Sequence, residues 1–361
     1  MNILILGGSE FIGRTFVDSL IQAGDSKIFT INRGKQYWNE SLKDKKGVNY
    51  YYGDRNEYME FEKLLQYVSK KEKIGEGGKK WDLVVDFSCF ERKEVKSVIR
   101  ALRDKCKLYV FISTDSIYDV CDKKLRRDDF IKEEYGVRPE SDKIIEELNK
   151  NEDYGNDKLK CEEYLRSHIN ENDFNYICLR LPDVIGPYDT SGRFWAYMLW
   201  IKNAIECPIH VNKYFKLRYL SFVYSEDVCK LLMGIKDIIK QNDDNTKKWL
   251  SEINTESFNV CFDNPITLKV FIDMVAKEMG IADLEFIDEK DLISSGKFFY
   301  PSVECGPLNN SKAKKLLNFK SIEIETAIKE TVKFFKQAEK YMTEFKKARS
   351  KYQKAYDINR I

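Results

Sequence analysis

The chain has 361 residues and a formal net charge of +2, enough length for a large core and two lobes, with no charge imbalance that would demand nucleic acid or an anionic membrane as a partner. Nine cysteines without a C-x-x-C pair and only two histidines, His168 and His210, argue against a zinc site and a disulfide framework, and point to reduced thiols in a cytoplasmic protein. An apolar strand pattern starts at residue 3, leaving no room for a signal peptide, and no apolar run approaches the length of a membrane span.

The first element is the apolar run Ile3 to Leu6, followed by Gly7-Gly8-Ser9-Glu10-Phe11-Ile12-Gly13 and a helix-period segment carrying Phe16, Leu20 and Ile21. Strand, tight turn and helix form the context in which a glycine fingerprint binds a pyrophosphate at a helix N-terminus. One position departs from the pattern: Glu10 stands where backbone usually approaches the pyrophosphate, so its carboxylate has to point away. Gly24 ends the helix, and Lys27 to Ile31 reads as a second strand followed by Asn32-Arg33-Gly34-Lys35. An acidic residue after this strand would accept from a ribose 2′-hydroxyl. Arg33 and Lys35 instead suit a 2′-phosphate and favour NADP over NAD, the plain alternative being a solvated basic turn.

Val48 to Tyr52 reads as a third strand ending in Gly53-Asp54-Arg55, where Asp54 either accepts from an adenine amino group or caps the next helix. The polar stretch Lys70 to Lys80 reads as a mobile surface insertion, and Trp81 to Asp86 as a fourth strand with Phe87-Ser88 at its tip. Leu108 to Ile112 is a strongly apolar fifth strand ending in Ser113-Thr114-Asp115-Ser116, at the end of a parallel sheet where such folds place their chemistry. Asp119 to Asp153 reads as a charged insertion with one helix near Ile144 to Leu148, either a lid or, by preference, surface decoration. Tyr154 and Lys158 then open a helix, four residues apart and hence on one face. An ammonium beside a phenol favours the phenolate, which is what a base acting on an alcohol needs. Arg193 to Ile201 is a dense aromatic helix, read as core packing ahead of a sugar-stacking platform.

In this order the motifs resemble an extended short-chain dehydrogenase/reductase of the NAD(P)-dependent epimerase/dehydratase family. The nucleotide loop Ile3 to Gly13, the segment Ile112 to Tyr118, the Y-G-x-x-K-x-x-x-E stretch Tyr154 to Glu162, the strand and turn Leu179 to Pro187, Arg218 to Val223 with Asp227-Val228, and Phe258-Asn259-Val260 carry the resemblance. It implies a Rossmann-type doubly wound parallel sheet with a smaller C-terminal α/β substrate lobe. The dinucleotide lobe would be residues 1–185 continued by 222–250, the substrate lobe 186–221 and 251–335, and residues 336–361 a C-terminal amphipathic helix. It also implies Tyr154 as general acid/base, Lys158 and Thr114 as its partners, and Gly7, Gly8, Phe11, Ile12, Gly13, Arg33, Asp54 and Ser88 around the cofactor. Arg193 and Arg218 would meet the diphosphate of a nucleotide-sugar. A homodimer, with no metal and no membrane, is the implied state. Relative to the sugar 4,6-dehydratases, Asp115 is kept but Ser116 replaces a glutamate, which leaves epimerase, dehydratase and dehydrogenase open. The Gly53-Asp54-Arg55 and Asn32-Arg33-Gly34 turns resemble the atypical branch that includes chloroplast stem-loop RNA-binding proteins. A non-catalytic nucleotide-sensing or RNA-binding scaffold is therefore the rival reading.

Overall fold

The computed structural model describes residues 1–35, 42–123, 130–151, 153–168, 174–204, 209–211, 217–282, 284–288 and 306–338. Its centre is a seven-stranded sheet, and every pairing in that sheet is parallel. The first six strands are β1 (Asn2–Leu6), β2 (Lys27–Asn32), β3 (Val48–Tyr52), β4 (Trp81–Asp86), β5 (Cys106–Thr114) and β6 (Asn175–Leu181). The order across the sheet is β3, β2, β1, β4, β5, β6, and then the strand Glu256–Asn259. The chain runs outward from β1 to β3 and restarts at β4 on the other side of β1. That reversal opens a crevice beyond the carboxyl ends of β1 and β4, the place where a doubly wound sheet takes a ligand.

The apolar runs read as strands because both faces are covered. Alternate residues of one strand enter different cores. Ile3 and Ile5 of β1 pack with Val110, Leu179, Phe16 and Leu232, whereas Leu4 and Leu6 pack with Phe29, Val84, Tyr109 and Phe111. On the first face lie α1 (Phe11–Ala23) and the helix Ser225–Gln241, which contact each other. The second face is covered by α2 (Tyr58–Lys71), α3 (Arg92–Leu102) and, after α4 (Asp142–Asn151), by α5 (Asp153–His168). Gly24 closes α1 in the left-handed conformation, φ 68°, with its N–H donating to the Leu20 carbonyl, as the sequence suggests.

The aromatic segment forms α6 (Arg193–Asn203), which follows the short strand β7 (Asp183–Ile185), and it builds a separate apolar cluster with the helices Leu268–Met279 and Ile324–Ala338. Phe194 stacks on Phe335 at 5.7 Å and Phe222 on Phe271 at 4.5 Å, so these rings are core. Of the expected C-terminal amphipathic segment only residues 336–338 are described, as the end of Ile324–Ala338; residues 339–361 lie outside the described residues.

One expectation about the insertions changes and one is met in part. The polar stretch after α2 lies at the surface as expected, with Ile74 its one buried side chain and the Ile74 N–H donating to the Ser69 carbonyl at 2.8 Å. The segment 119–153 does more than decorate a surface. Its described residues form the 3₁₀ turn Glu133–Tyr135 and the helix α4; Ile131 and Tyr135 are buried, and Ile131 exchanges backbone hydrogen bonds with Pro307 and Asn309. Seven cysteines are buried free thiols, while Cys207 and Cys305 lie outside the described residues. Among the described residues no helix is long and apolar enough to cross a membrane, and no group of three or more His, Cys, Asp or Glu is placed to hold a metal.

Candidate active site

The crevice at the β1–β4 reversal is a cleft of about 340 Å³. Gly7, Phe11, Ile12, Gly13, Arg33, Asp54 and Ser88, all expected around a cofactor, line it together with Lys35. Two of the glycines are there because nothing larger fits. Gly7 has φ 87°, and a Cβ on it would come within 2.6 Å of the Ser88 Cβ. A Cβ on Gly13 would come within 2.5 Å of the Gly7 carbonyl oxygen, so Gly13 is what lets α1 close on the turn. Gly8 differs from the expectation: it is buried, its missing side chain faces Val17 and Ile5, and it does not line the cleft. No side chain caps α1 at its N-cap, Glu10, so the first-turn N–H groups are left for an anion from outside the helix.

On the β2–β3 side of the cleft, Arg33 and Lys35 follow β2, and the Asp54 turn follows β3. The Asp54 carboxylate accepts from the Asn56 N–H at 3.0 Å, an Asx turn that shapes the rim and does not cap α2, which begins at Tyr58. Beneath this rim lies a buried network that sequence reasoning missed. Arg55 donates through both terminal nitrogens to Asp86, at 2.5 and 2.7 Å, and to the Ser88 hydroxyl at 3.0 Å, while the Tyr109 hydroxyl donates to Asp86 at 2.7 Å. Burial opposes the Arg55 charge, but Asp86 outweighs it and holds the guanidinium protonated; burial and Asp86 together push the Tyr109 phenol up. The available signal was an opposite-charge pair at the tips of two strands, which becomes a contact only once strand order is known.

The residues expected to carry the chemistry, Thr114, Asp115, Tyr154 and Lys158, do not themselves line this cleft. Thr114 ends β5 and its hydroxyl accepts from the Ser116 N–H at 3.2 Å, capping the short 3₁₀ helix Asp115–Val120. Lys158 is buried, and its ammonium donates to the carbonyls of Cys89 at 2.6 Å and Ile112 at 2.8 Å. It lies 4.8 Å from the ring centre of Phe90 and 5.8 Å from that of Tyr154. Both Phe90 and Ile112 line the cleft. Tyr154, one helical turn before Lys158, is 45% exposed, and its ring lies 6.3 Å from that of Phe90, which lines the cleft. Asp115 is buried, and burial first, then nearby Asp119, raise its carboxyl to about 8 against the opposing charge of Arg193. Arg193 itself is paired with Asp183. Arg218 is half-buried just ahead of the strand Tyr219–Leu220 and does not line this cleft.

The remaining motif residues meet elsewhere, in one buried scaffold. Arg180 pairs with Glu162 at 2.7 Å and donates to the Tyr118 hydroxyl at 2.9 Å and the Glu133 carbonyl at 2.8 Å. Glu162 also accepts from the Ser113 hydroxyl at 2.6 Å, and the Tyr118 hydroxyl donates to Asn259 at 2.7 Å. Burial pushes Glu162 up, but Arg180 and Ser113 more than offset it and hold the carboxylate below its ordinary range. Ser113, Tyr118, Glu162, Arg180 and Asn259 thus pin β5, α5, β6 and the 131–136 segment together.

A glycine-walled cleft at the reversal of a parallel sheet, with a Tyr-x-x-x-Lys helix whose lysine bonds the Ile112 carbonyl on the cleft wall, defines a dinucleotide-type α/β architecture. Residues 3–237 match the profile of the NAD dependent epimerase/dehydratase family, and the chain belongs to that family. Solved structures share the fold along nearly the whole chain. The dTDP-glucose 4,6-dehydratase of Bacillus anthracis, in complex with NAD, superposes with a TM-score of 0.65 at 18% identity, over 95% of this chain and 98% of that one. The UDP-glucose 4-epimerase of Thermotoga maritima, with UDP-glucose, gives 0.64 at 16% identity over 93% and 99%. The UDP-N-acetylglucosamine 4-epimerase of Methanobrevibacter ruminantium gives 0.64 at 18% identity over 93% and 98%. A search of curated protein sequences found no match.

Proposed function

We propose that this protein binds a nicotinamide dinucleotide in the cleft beyond β1 and uses it to oxidise, transiently, a hydroxyl of a nucleotide-sugar. The observation that carries the reading is the continuity of one cleft from the glycine seat at Gly7 and Gly13 to Phe90 and Ile112, which touch or bond the Lys158 ammonium. Family membership, and fold neighbours whose structures hold NAD or UDP-glucose, support the same reading. The residues fit the dinucleotide: closely packed glycines, a helix N-terminus without a side-chain cap and a 340 Å³ cleft between them suit a pyrophosphate. Arg33 and Lys35, on the cleft wall after β2, supply charge for a 2′-phosphate, which favours NADP over NAD.

In this reading residues 1–185 with 222–250 hold the cofactor, and 186–221 with 251–335 close over the sugar. A nicotinamide held in this cleft would supply the hydride acceptor for the carbon being oxidised. Tyr154 removes the proton of the hydroxyl on that carbon, Thr114 hydrogen-bonds the same oxygen, and Lys158 fixes the phenol side by its position and charge. Lys158 is already oriented for this by two carbonyls, so little ordering is left to do. Asp115, protonated up to about pH 8, can donate to a leaving hydroxyl, but Ser116 beside it is a poor base for a carbon-bound proton. Epimerisation, dehydration and net dehydrogenation share this first oxidation and part at the fate of the resulting ketone. Arg193 is paired with Asp183 through one terminal nitrogen and is 44% exposed, so its remaining donors would be the ones to meet a substrate diphosphate.

The test is Tyr154→Phe. Turnover of a nucleotide-sugar should fall by roughly 10²–10⁴-fold, the range for loss of a general acid/base, with dinucleotide affinity nearly unchanged. Full activity in this variant would remove Tyr154 from the chemistry.

A further inference from the structure

The phosphate loop breaks its glycine pattern at Glu10, and the backbone is not what makes this costly. Glu10 has φ −141°, extended geometry that any residue adopts. The cost lies in the side chain. A carboxylate beside the N-terminus of α1 is drawn to the same N–H groups that a diphosphate would use, and it repels the diphosphate.

The carboxylate does not take that position. It makes no capping hydrogen bond to α1. Its Oε2 instead accepts the hydroxyl of Thr190, 180 positions later, at 2.7 Å. Thr190 and its neighbours Asp189 and Ser191 line the same cleft, as does Glu10 itself, so what the bond fixes is the direction of the carboxylate within it. A second, independent contact holds this turn against α1: the Arg14 guanidinium lies 4.1 Å from the centre of the Tyr188 ring. Within the turn, the Ser191 N–H donates to Asp189 Oδ1 at 2.7 Å. The turn is therefore shaped and anchored before Thr190 bonds Glu10.

We propose that Thr190 is a positioning residue for the cofactor: its hydroxyl parks the Glu10 carboxylate away from the diphosphate seat, so that the pair replaces the missing glycine. The inference rests on the dinucleotide reading above. It assigns Thr190 no contact with the reacting atoms; the residue acts through Glu10 alone.

A double-mutant cycle on the full chain tests this, with dissociation constants for NADP+ and NAD+ measured at low and high salt. Thr190→Val should weaken binding about tenfold or more, the scale of one lost hydrogen bond to a charged group. Thr190→Ser keeps the hydroxyl and should bind within about twofold of the wild type. In the Glu10→Gly background, Thr190→Val should change affinity by no more than that same factor of about two. The Thr190→Val loss should also shrink at high salt, because it comes from a like charge released toward the seat. Equal weakening in both backgrounds would mean that Thr190 acts through the turn and not through Glu10, and would overturn the proposal. Unchanged binding by Thr190→Val would overturn it as well. If the wild type binds neither nucleotide, the dinucleotide reading falls and this inference falls with it.

Discussion

At the scale of single residues, two buried groups make measurable claims. Lys158 satisfies two buried carbonyls, those of Cys89 and Ile112, besides facing the proposed site. Lys158→Met removes the donor to both, at about 1–3 kcal/mol for each group left unpaired. Urea unfolding should therefore show a stability loss of roughly 2 kcal/mol or more, accompanying the loss of turnover. Asp115 makes a claim about pH. Burial raises its carboxyl from 3.8 to about 8, so between those values the folded protein holds a proton that the unfolded chain has released. The stability this confers is complete below the ordinary carboxylate range and is lost as pH rises through about 8. Asp189, raised by burial to about 6, adds the same trend over a narrower window. Asp115→Asn should flatten the melting-temperature profile and raise the melting temperature relative to the wild type above about pH 8. A variant profile parallel to the wild type would refute the assignment.

At the scale of elements, the contact of α1 with its turn and the Arg180–Glu162 scaffold decide what can move. The close approach of Gly13 to the Gly7 carbonyl leaves no room for a methyl group. Gly13→Ala should push α1 off the turn and abolish dinucleotide binding, with a smaller effect on folding, as titration calorimetry and circular dichroism would show. Glu162→Gln leaves Arg180 buried with an uncompensated charge, a change that costs roughly 3–5 kcal/mol in comparable buried pairs. Because Arg180 also holds the Glu133 carbonyl, hydrogen exchange in the segment 131–136 should accelerate more than in β1. Uniform acceleration across the sheet would instead mean that the pair supports global stability only.

At the scale of the whole molecule, cofactor choice is readable as ligand-linked stability. A dinucleotide at about 100 times its dissociation constant should stabilise the fold by ~2.7 kcal/mol. NADP+ or NADPH should raise the melting temperature more than NAD+ or NADH at equal concentration. Arg33→Ala should remove that difference while leaving the NAD response, since Arg33 lines the cleft just after β2. Equal responses to both pairs in the wild type would leave Arg33 as a solvated turn residue.

The elements that form the cleft were legible in sequence because each is local. Strand β1, the Gly7 turn and α1 are contiguous, and the Tyr154–Lys158 spacing is itself a helical turn, so their relation needs no knowledge of the rest of the chain. The aromatic run of α6 was legible as core for the same reason: a helix with rings on most faces has to be enclosed. What tertiary structure alone decided are the pairings between distant positions. Gly8 faces the core although it belongs to the glycine run, because its direction depends on Val17 and Ile5. Arg55 meets Asp86 only because β4 lies beside β1 on the side away from β3, and Ile131 and Tyr135 are buried only because they reach Pro307 and the Arg180 network. Glu10 reads as a flaw until Thr190 arrives from across the cleft. Backbone propensity and periodicity act over a few residues and can be read along a chain. Charge pairing and close packing act through space, and the partner of a buried charge is set by the order of strands.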